Sequence, residues 1–348
     1  MAAKRIGIVG AGVLGRLLAY TLSRAGHAVQ VFDPASGPGP RADSGSLAAG
    51  WTAAGMLSPV AELERAGAEV FALGIRSCAL WPQIVQGLDQ PVELRMQGSL
   101  LLAHRSDAGA AQRVVGLLQA KADAPYQPQP LTPAQLRELE PSISGPALAW
   151  LLPCEGKIHP IQALQALAAQ ATAQGVQWHW GTTVSAVEAS VLRVGDAQHR
   201  FDHVFDVRGV GAKPALPVRG VRGEVFWLHA PGVQLHRPVR LLHPRHSVYL
   251  VPRPGDVIVV GASEIESEDR SPVSLRSTLE LLSAAHSAIP ALAEARVLHS
   301  ETNLRPALPD NLPVVRHRAG KTEINGLFRH GWLIAPALVE QALHELSL

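Results

Sequence analysis

Arg5-Ile-Gly-Ile-Val-Gly10-Ala-Gly12-Val-Leu-Gly15 is a short β-branched run that opens into three spaced glycines. Its first half reads as a buried parallel strand, and the glycine at its end marks a tight turn. Beyond the turn, Leu14, Leu17, Leu18 and Leu22 recur at helical spacing, and Gly26 stops the pattern as a C-cap does. Val29 to Phe32 makes a second strand. Strand, turn, helix and strand in succession are one βαβ unit with a right-handed crossover.

Each glycine of that turn has its own steric task. Gly10 permits the tight turn, Gly12 lets a pyrophosphate approach the backbone, and Gly15 lets helix and strand pack closely. Free amides at the helix start then face the phosphates. Asp33 follows Gly15 by 18 residues, at the end of the second strand, where a carboxylate accepts hydrogen bonds from ribose hydroxyls. Taken alone the turn is a weak signal that a purely structural turn would also give. The strand before it, the helix after it and the acid point to a dinucleotide. NAD and FAD share this turn. The apolar strand His203-Val-Phe-Asp-Val-Arg208 runs into Gly209-Val-Gly211 far downstream, as if returning to the same nucleotide, and that distributed layout favours FAD.

Around this unit the chain has 348 residues, 47% of them hydrophobic and 17% charged, enough for a large core in two domains or one elaborate one. With 31 basic side chains against 29 acidic ones and no basic stripe, neither a nucleic acid nor a membrane surface is an expected partner. Two cysteines, Cys78 and Cys154, suit a reducing compartment. Lys4 and Arg5 before the apolar Ile6 to Leu14 imitate a secretory signal, but Arg16 interrupts the run, and no stretch approaches the roughly 20 apolar residues of a membrane span. The expectation is a cytoplasmic protein with no membrane insertion.

Further along, Pro34 to Ser46 reads as loop, and the small residues of Leu47 to Met56 leave room for a bulky cofactor against backbone. Helices are expected over Pro59 to Leu88, from Thr132 as N-cap with Pro133 in the first turn, and over Pro160 to Ala173, Leu275 to His286 and Ala337 to Leu346. Strands are expected over Val92 to Arg95, Ser99 to Ala103, Val176 to Trp180, Val184 to Val187, Val191 to Val194 and His203 to Val207, with a mainly β stretch from Arg222 to Ile265. The fold class is α/β, a Rossmann-like FAD-binding domain (1–85, 141–221 and 300–348) with an inserted, mainly antiparallel β substrate domain (86–140 and 222–299). Fifteen histidines include the pairs His243 with His246 and His229 with His236, but no spacing matches a zinc set, so no metal is expected. Cys78 reads as a buried structural thiol, and Trp178 and Trp180 share one face of a strand.

Several segments together resemble the D-amino-acid oxidase family of flavoproteins and, within it, the glycine oxidase branch. They are the glycine turn, Ala53-Ala-Gly-Met-Leu57, Glu155-Gly-Lys-Ile-His-Pro160, Arg208-Gly-Val-Gly-Ala212, Val221-Arg-Gly-Glu-Val225, Tyr249-Leu-Val-Pro-Arg253, Leu304-Arg-Pro306 and Phe328-Arg-His-Gly-Trp-Leu-Ile-Ala-Pro336. The resemblance implies the glutathione-reductase-2-like fold of that family and FAD as cofactor. It puts Val13, Leu14 and Asp33 on the first nucleotide unit, Ala54, Gly55 and Met56 beside the isoalloxazine ring, and the backbone of Val184 at the adenine. Leu327, His330, Gly331, Trp332 and Leu333 fall on the loop and helix start around the flavin pyrimidine, where partial positive charge stabilises anionic flavin.

Arg305, Arg329 and Tyr249 resemble substrate-carboxylate and pocket residues. Chemistry agrees, since a guanidinium fork fixes a carboxylate bidentately and aims Cα–H at flavin N5. A loop-capping role for either arginine, and plain core packing for Tyr249, are the alternatives. The implied reaction is oxidative deamination of glycine or another small amine, with molecular oxygen as electron acceptor and iminoacetate supplied to thiamine-thiazole synthesis. Homo-oligomers are common in that branch. A D-amino-acid dehydrogenase with a different acceptor, a non-catalytic protein of the same fold and a flavin domain acting on a tRNA base are the other readings. Two departures from the family pattern stand out: Leu327 where a histidine is usual, and the polar stretch Arg316 to Asn325.

Overall fold

In the computed structural model, which describes residues 2–40, 48–242 and 247–348, the opening unit forms as β1 (Arg5–Val9), α1 (Val13–Arg24) and β2 (Ala28–Asp33). There follow β3 (Met56–Leu57), α2 (Pro59–Glu62), α3 (Ala68–Gln86), β4 (Leu94–Arg95), β5 (Ser99–Ala103), α4 (Ala108–Lys121), β6 (Gln129–Leu131), α5 (Pro133–Leu139), β7 (Leu148–Leu152), β8 (Gly156–Ile158) and α6 (Pro160–Ala173). Five strands come next, β9 (Gln177–Trp180), β10 (Ala186–Glu188), β11 (Val191–Val194), β12 (Ala197–Arg200) and β13 (His203–Asp206). The chain then runs through β14 (Arg219–His229), β15 (Val239–Leu242), β16 (Ser247–Arg253), β17 (Val257–Gly261), α7 (Leu275–Ala288), β18 (Arg296–Ala307), β19 (Val314–Arg318), β20 (Lys321–Asn325) and α8 (Gly331–Glu345).

Two large sheets organise these elements. The first has the order β19-β20-β13-β1-β2-β9, and all its pairs are parallel except β19 with β20. Its central strand is apolar because both faces are covered: Ile6 and Ile8 are buried in one core with Leu14, Leu17, Leu18 and Leu22 of α1, Leu164 of α6 and Leu338 of α8, and Val9 on the other face packs with Phe32, Phe201 and Val204. The second sheet has the order β18-β14-β17-β16-β15-β5-β7-β6 and is antiparallel apart from the β15–β5 pair. Alternation along β14 divides its two faces. Phe226 and Leu228 pack with Leu281 and Ala285 of α7, whereas Val225 and Trp227 belong to a separate cluster with Ala54 and Val251 that Tyr249 joins.

The structure bears out the mixed α/β architecture and corrects several boundaries. Pro59 to Leu88 is two helices with a break between Glu62 and Ala68. Leu148–Leu152, the start of Arg219–His229 and all of Arg296–Ala307 are paired into the second sheet, so the domain limits at 141–221 and 300–348 do not coincide with sheet membership. The division into a nucleotide unit and a substrate unit is retained as a proposal. The polar stretch Arg316 to Asn325 lies in the β19–β20 hairpin, and several of its polar groups are partnered. Thr322 Oγ1 meets His203 Nε2 at 2.8 Å and His317 Nδ1 at 2.9 Å, and Asn325 Nδ2 donates to the Gly209 carbonyl at 3.0 Å.

The last helix begins at Gly331, six residues before the expected start, with Pro336 inside it. Proline removes the donor for the carbonyl four residues earlier. That carbonyl, on Trp332, accepts from Trp81 Nε1 at 2.9 Å instead, so the helix continues through the proline without an orphaned group. Trp178 and Trp180 stack face to face at 5.1 Å, as the strand spacing predicts. Residues 41–47, within the expected loop and at its edge, and the pair His243 and His246 lie outside the described residues. Among the described residues no helix is long and apolar enough to cross a membrane, and no group of three metal-ligating side chains forms.

Candidate active site

A cavity of about 990 Å³ is lined from both sheets. On the nucleotide side it is bounded by Gly10, Gly12, Val13, Leu14, Asp33 and Val184. Gly10 has φ +104°, and a Cβ there would stand 2.8 Å from the Val207 carbonyl oxygen. Gly15 does not line the cavity; a Cβ on it would fall 1.8 Å from the Gly10 carbonyl oxygen, which is the close helix–strand contact expected of it. No side chain caps α1, whose N-cap is Gly12, so its first amides are offered to the cavity. Asp33 is oriented by backbone, with one oxygen accepting from Ala11 N–H at 2.6 Å and the other from Ala35 N–H at 2.8 Å. The Val184 carbonyl accepts from Arg208 Nη1 at 3.4 Å, and Arg208 is itself forked onto the buried Asp206.

The middle of the cavity is walled by Ala54, Gly55 and Met56 on one side and by Leu327, His330, Gly331, Trp332 and Leu333 on another. Gly55 has φ +64°, and a Cβ there would lie 2.2 Å from the Ile158 carbonyl oxygen. Arg253, its guanidinium pKa lowered to about 10 by burial, donates from Nη2 to the Ala54 carbonyl and so pins this strap from behind. A Cβ on Gly331 would meet nothing within 4 Å, and no side chain caps α8. The cradle fits FAD. It combines glycines too crowded for side chains, a cavity-lining carboxylate at the end of β2 and two uncapped helix starts for groups of negative character.

On the substrate side, Arg305 of β18 donates from Nη1 to the carbonyls of Ser263 at 3.0 Å and Arg222 at 3.3 Å. Gly223 provides the shelf beneath it, since a Cβ there would stand 2.6 Å from the guanidinium carbon. Both carbonyls belong to residues gathered by the buried Glu224, which accepts from Arg222 Nη2 at 2.6 Å and whose own N–H donates to Ser263 Oγ at 3.0 Å. Burial lowers the Arg305 pKa, with Tyr249 and Glu264 opposing the shift, and among the described residues no carboxylate forms an ion pair with it. A guanidinium so placed can bind an anion. Tyr249 of β16 lines the same space with its hydroxyl pKa raised by burial; a Cβ on Gly261 would crowd that hydroxyl at 2.7 Å.

Arg329 reaches the same cavity already paired. Its Nη2 lies 2.8 Å from Glu62 Oε2 and its Nη1 3.3 Å from Glu264 Oε2. Glu62 also holds Arg240 of β15 at 2.8 Å and lies 3.4 Å from His330 Nδ1. Burial alone would raise the Glu62 carboxyl, but Arg240, His330 and Arg329 outweigh it and hold the group below the usual carboxylate range. Burial also keeps His330 below its ordinary value. Glu62, Arg240 and Glu264 were not singled out in the sequence. The available signal was one acid in the apolar run Pro59-Val-Ala-Glu-Leu63, which demands a buried cation somewhere in the fold. Behind this network Glu155, fully buried, accepts from Ser99 Oγ at 2.5 Å and Ala61 N–H at 2.8 Å, and burial lifts its pKa to about 6. Cys154 is pushed up to about 12 and Cys78 is also raised by burial, so neither thiol is a ready nucleophile.

Comparison with known proteins agrees with this geometry. The model of the family described as FAD dependent oxidoreductase (DAO) matches residues 5–341. A Rhizobium etli chain described as thiamine biosynthesis oxidoreductase ThiO is 35% identical over 344 residues, covering 98% of this chain and 96% of that one. The glycine oxidase of Geobacillus kaustophilus is 26% identical over 363 residues, 95% of this chain and 89% of its own. A solved glycine oxidase structure from that organism superposes with a TM-score of 0.82 at 25% identity, over 99% of this chain and 95% of the other. The fold is also that of iminodiacetate oxidase from Chelativorans sp. BNC1, with a TM-score of 0.84 at 23% identity over 99% and 95% of the two chains.

Proposed function

The chain belongs to the family of FAD-dependent oxidoreductases, and from that premise we propose that it binds FAD and oxidatively deaminates glycine or another small amine. The observation that carries the proposal is Arg305, a half-buried guanidinium steered by two carbonyls and left without a carboxylate of its own among the described residues. Bound FAD supplies a two-electron acceptor for the hydride on the substrate Cα and passes the electron pair to dioxygen, giving hydrogen peroxide.

The residues of the chain do the rest by placement. Arg305 takes the substrate carboxylate through the donors that Ser263 and Arg222 leave open. Tyr249 and Ala54 to Met56 close the sides of the reacting space, while Arg329, fixed by Glu62 and Glu264, forms the wall next to the cofactor site. Gly10, Gly12, Val13, Leu14 and Asp33 hold the dinucleotide end, Val184 borders the adenine, and Leu327 with His330 to Leu333 borders the pyrimidine. The substrate amine enters the step uncharged, and its lone pair forms the C=N bond as the hydride leaves. Water then adds to the imino acid and releases ammonia and a 2-oxo acid. In the light of the Rhizobium etli relative, the imino acid is also a candidate precursor in thiamine synthesis.

The test is direct. Purified protein loaded with FAD is mixed anaerobically with glycine, sarcosine and D-alanine in turn. The expected result is bleaching of the flavin by at least one of them and stoichiometric hydrogen peroxide when air is admitted. A colourless protein after reconstitution overturns the cofactor assignment, and bleaching without peroxide favours the dehydrogenase reading.

A further inference from the structure

Resting on the amine-oxidising reading, we infer that Glu62 and Glu264 are specificity determinants that mask Arg329, so that the site accepts amines with one carboxylate and turns away those with a second. Arg305 shares the cavity wall with Tyr249, Glu264, Arg329 and Glu62. Beside it, Glu62 and Glu264 are engaged by Arg240, by Arg329 and, at 4.0 Å, by Arg65. One substrate carboxylate takes Arg305, which forms no ion pair among the described residues.

A second carboxylate meets an Arg329 already held between two carboxylates, with its remaining unpartnered Nε buried. Its Nη2 stands 2.8 Å from Glu62 Oε2 as an ion pair, its Nη1 donates to Glu264 Oε2 at 3.3 Å, and Arg240 is committed to Glu62 at 2.8 Å. The incoming anion meets instead the carboxylate of Glu264, whose side chain is 40% exposed at the cavity wall. Like charges in a partly desolvated space repel strongly enough to set selectivity without any clash of shape. Arg270 and Arg276 also line the cavity; Arg276 is exposed on the first turn of α7, and Arg270 reaches the buried Asn303 Oδ1 at 3.5 Å.

Sarcosine and iminodiacetate differ by a carboxylate on the nitrogen substituent and are the discriminating pair. For the FAD-loaded protein kcat/KM is expected to favour sarcosine by about tenfold or more, and Glu264→Gln is expected to shrink that preference by about tenfold. Glu62→Gln, which also frees Arg329, is expected to act in the same direction. Because Glu62 is buried and its loss can damage the fold, the exposed Glu264 carries the decision. Comparable rates on both amines in the parent protein, or an unchanged ratio in Glu264→Gln, overturn the inference. Calorimetric titration with glycolate and diglycolate separates this result from failure of the function itself. If no amine is oxidised, tighter binding of glycolate that levels out in Glu264→Gln still supports the mask, and equal affinities in the parent protein overturn it.

Discussion

The two ends of the cavity are built from different materials. The nucleotide end is made of backbone: Gly10, Gly12 and Gly15 bring β1, α1 and the Val207 segment into contact, and Asp33 is held by two main-chain amides. The substrate end is made of charged side chains carried by five separate elements or loops, with Glu62, Arg240, Glu264, Arg305 and Arg329 compensating one another. Backbone geometry tolerates no substitution at its crowded points, whereas a charge network is defined by its balance and can be retuned one residue at a time. On the proposed function, the first end fixes the cofactor class and the second is where substrate preference is set.

This contrast can be broken experimentally, beginning where the largest effect is expected. Gly15→Val places carbon where the Gly10 carbonyl stands, 1.8 Å from the built Cβ. The expected outcome is protein that purifies without flavin absorbance and melts early, and a yellow, stable Gly15→Val protein would show that the turn yields after all. Arg305→Met removes the free guanidinium and is expected to lower kcat/KM by about 100-fold, mostly through KM, with Arg305→Lys recovering only part because a point charge cannot span the same fork. Steady-state kinetics on glycine or sarcosine decide it.

Glu62→Gln strips Arg240 and Arg329 of their shared partner and is expected to cost about 2–3 kcal/mol in urea unfolding, since it leaves Arg240 mostly buried and uncompensated. An unchanged midpoint would mean that the network is decorative. The smallest effect concerns pH. The Glu155 carboxyl is raised from 4.5 to about 6 in the folded protein. Its contribution to stability is therefore full below pH 4.5 and is lost as pH rises through about 6, a change of about 2 kcal/mol. Thermal melts across that window should decline with rising pH less steeply in Glu155→Gln than in the parent protein.

The same contrast explains what the sequence disclosed. The β1–α1–β2 unit was readable because the turn needs glycine at fixed spacing, and Thr132 was readable because its capping box with Gln135 is local. Glu62 and Arg240 are 178 residues apart and meet only after the second sheet has closed, so no local pattern announces them. The start of α8 was missed for another reason. Pro336 normally marks a boundary, and the indole N–H that compensates it comes from Trp81 in a distant helix. Arg305 and Arg329 lie close in sequence and both reach the cavity, but only the structure separates the open guanidinium from the masked one.

The strand order β20-β13-β1 also dictates a schedule for biosynthesis. β1 waits for Val204 to Asp206, and that strand in turn waits for Lys321 to Glu323, far later in the chain. A nascent chain halted before this point has neither the outer edge of its parallel sheet nor the Trp332 carbonyl that receives Trp81. Its apolar interior stays open to solvent until β20 and α8 have been made, which exposes the unfinished polypeptide to chaperones and delays a complete cofactor cradle until those last elements pair.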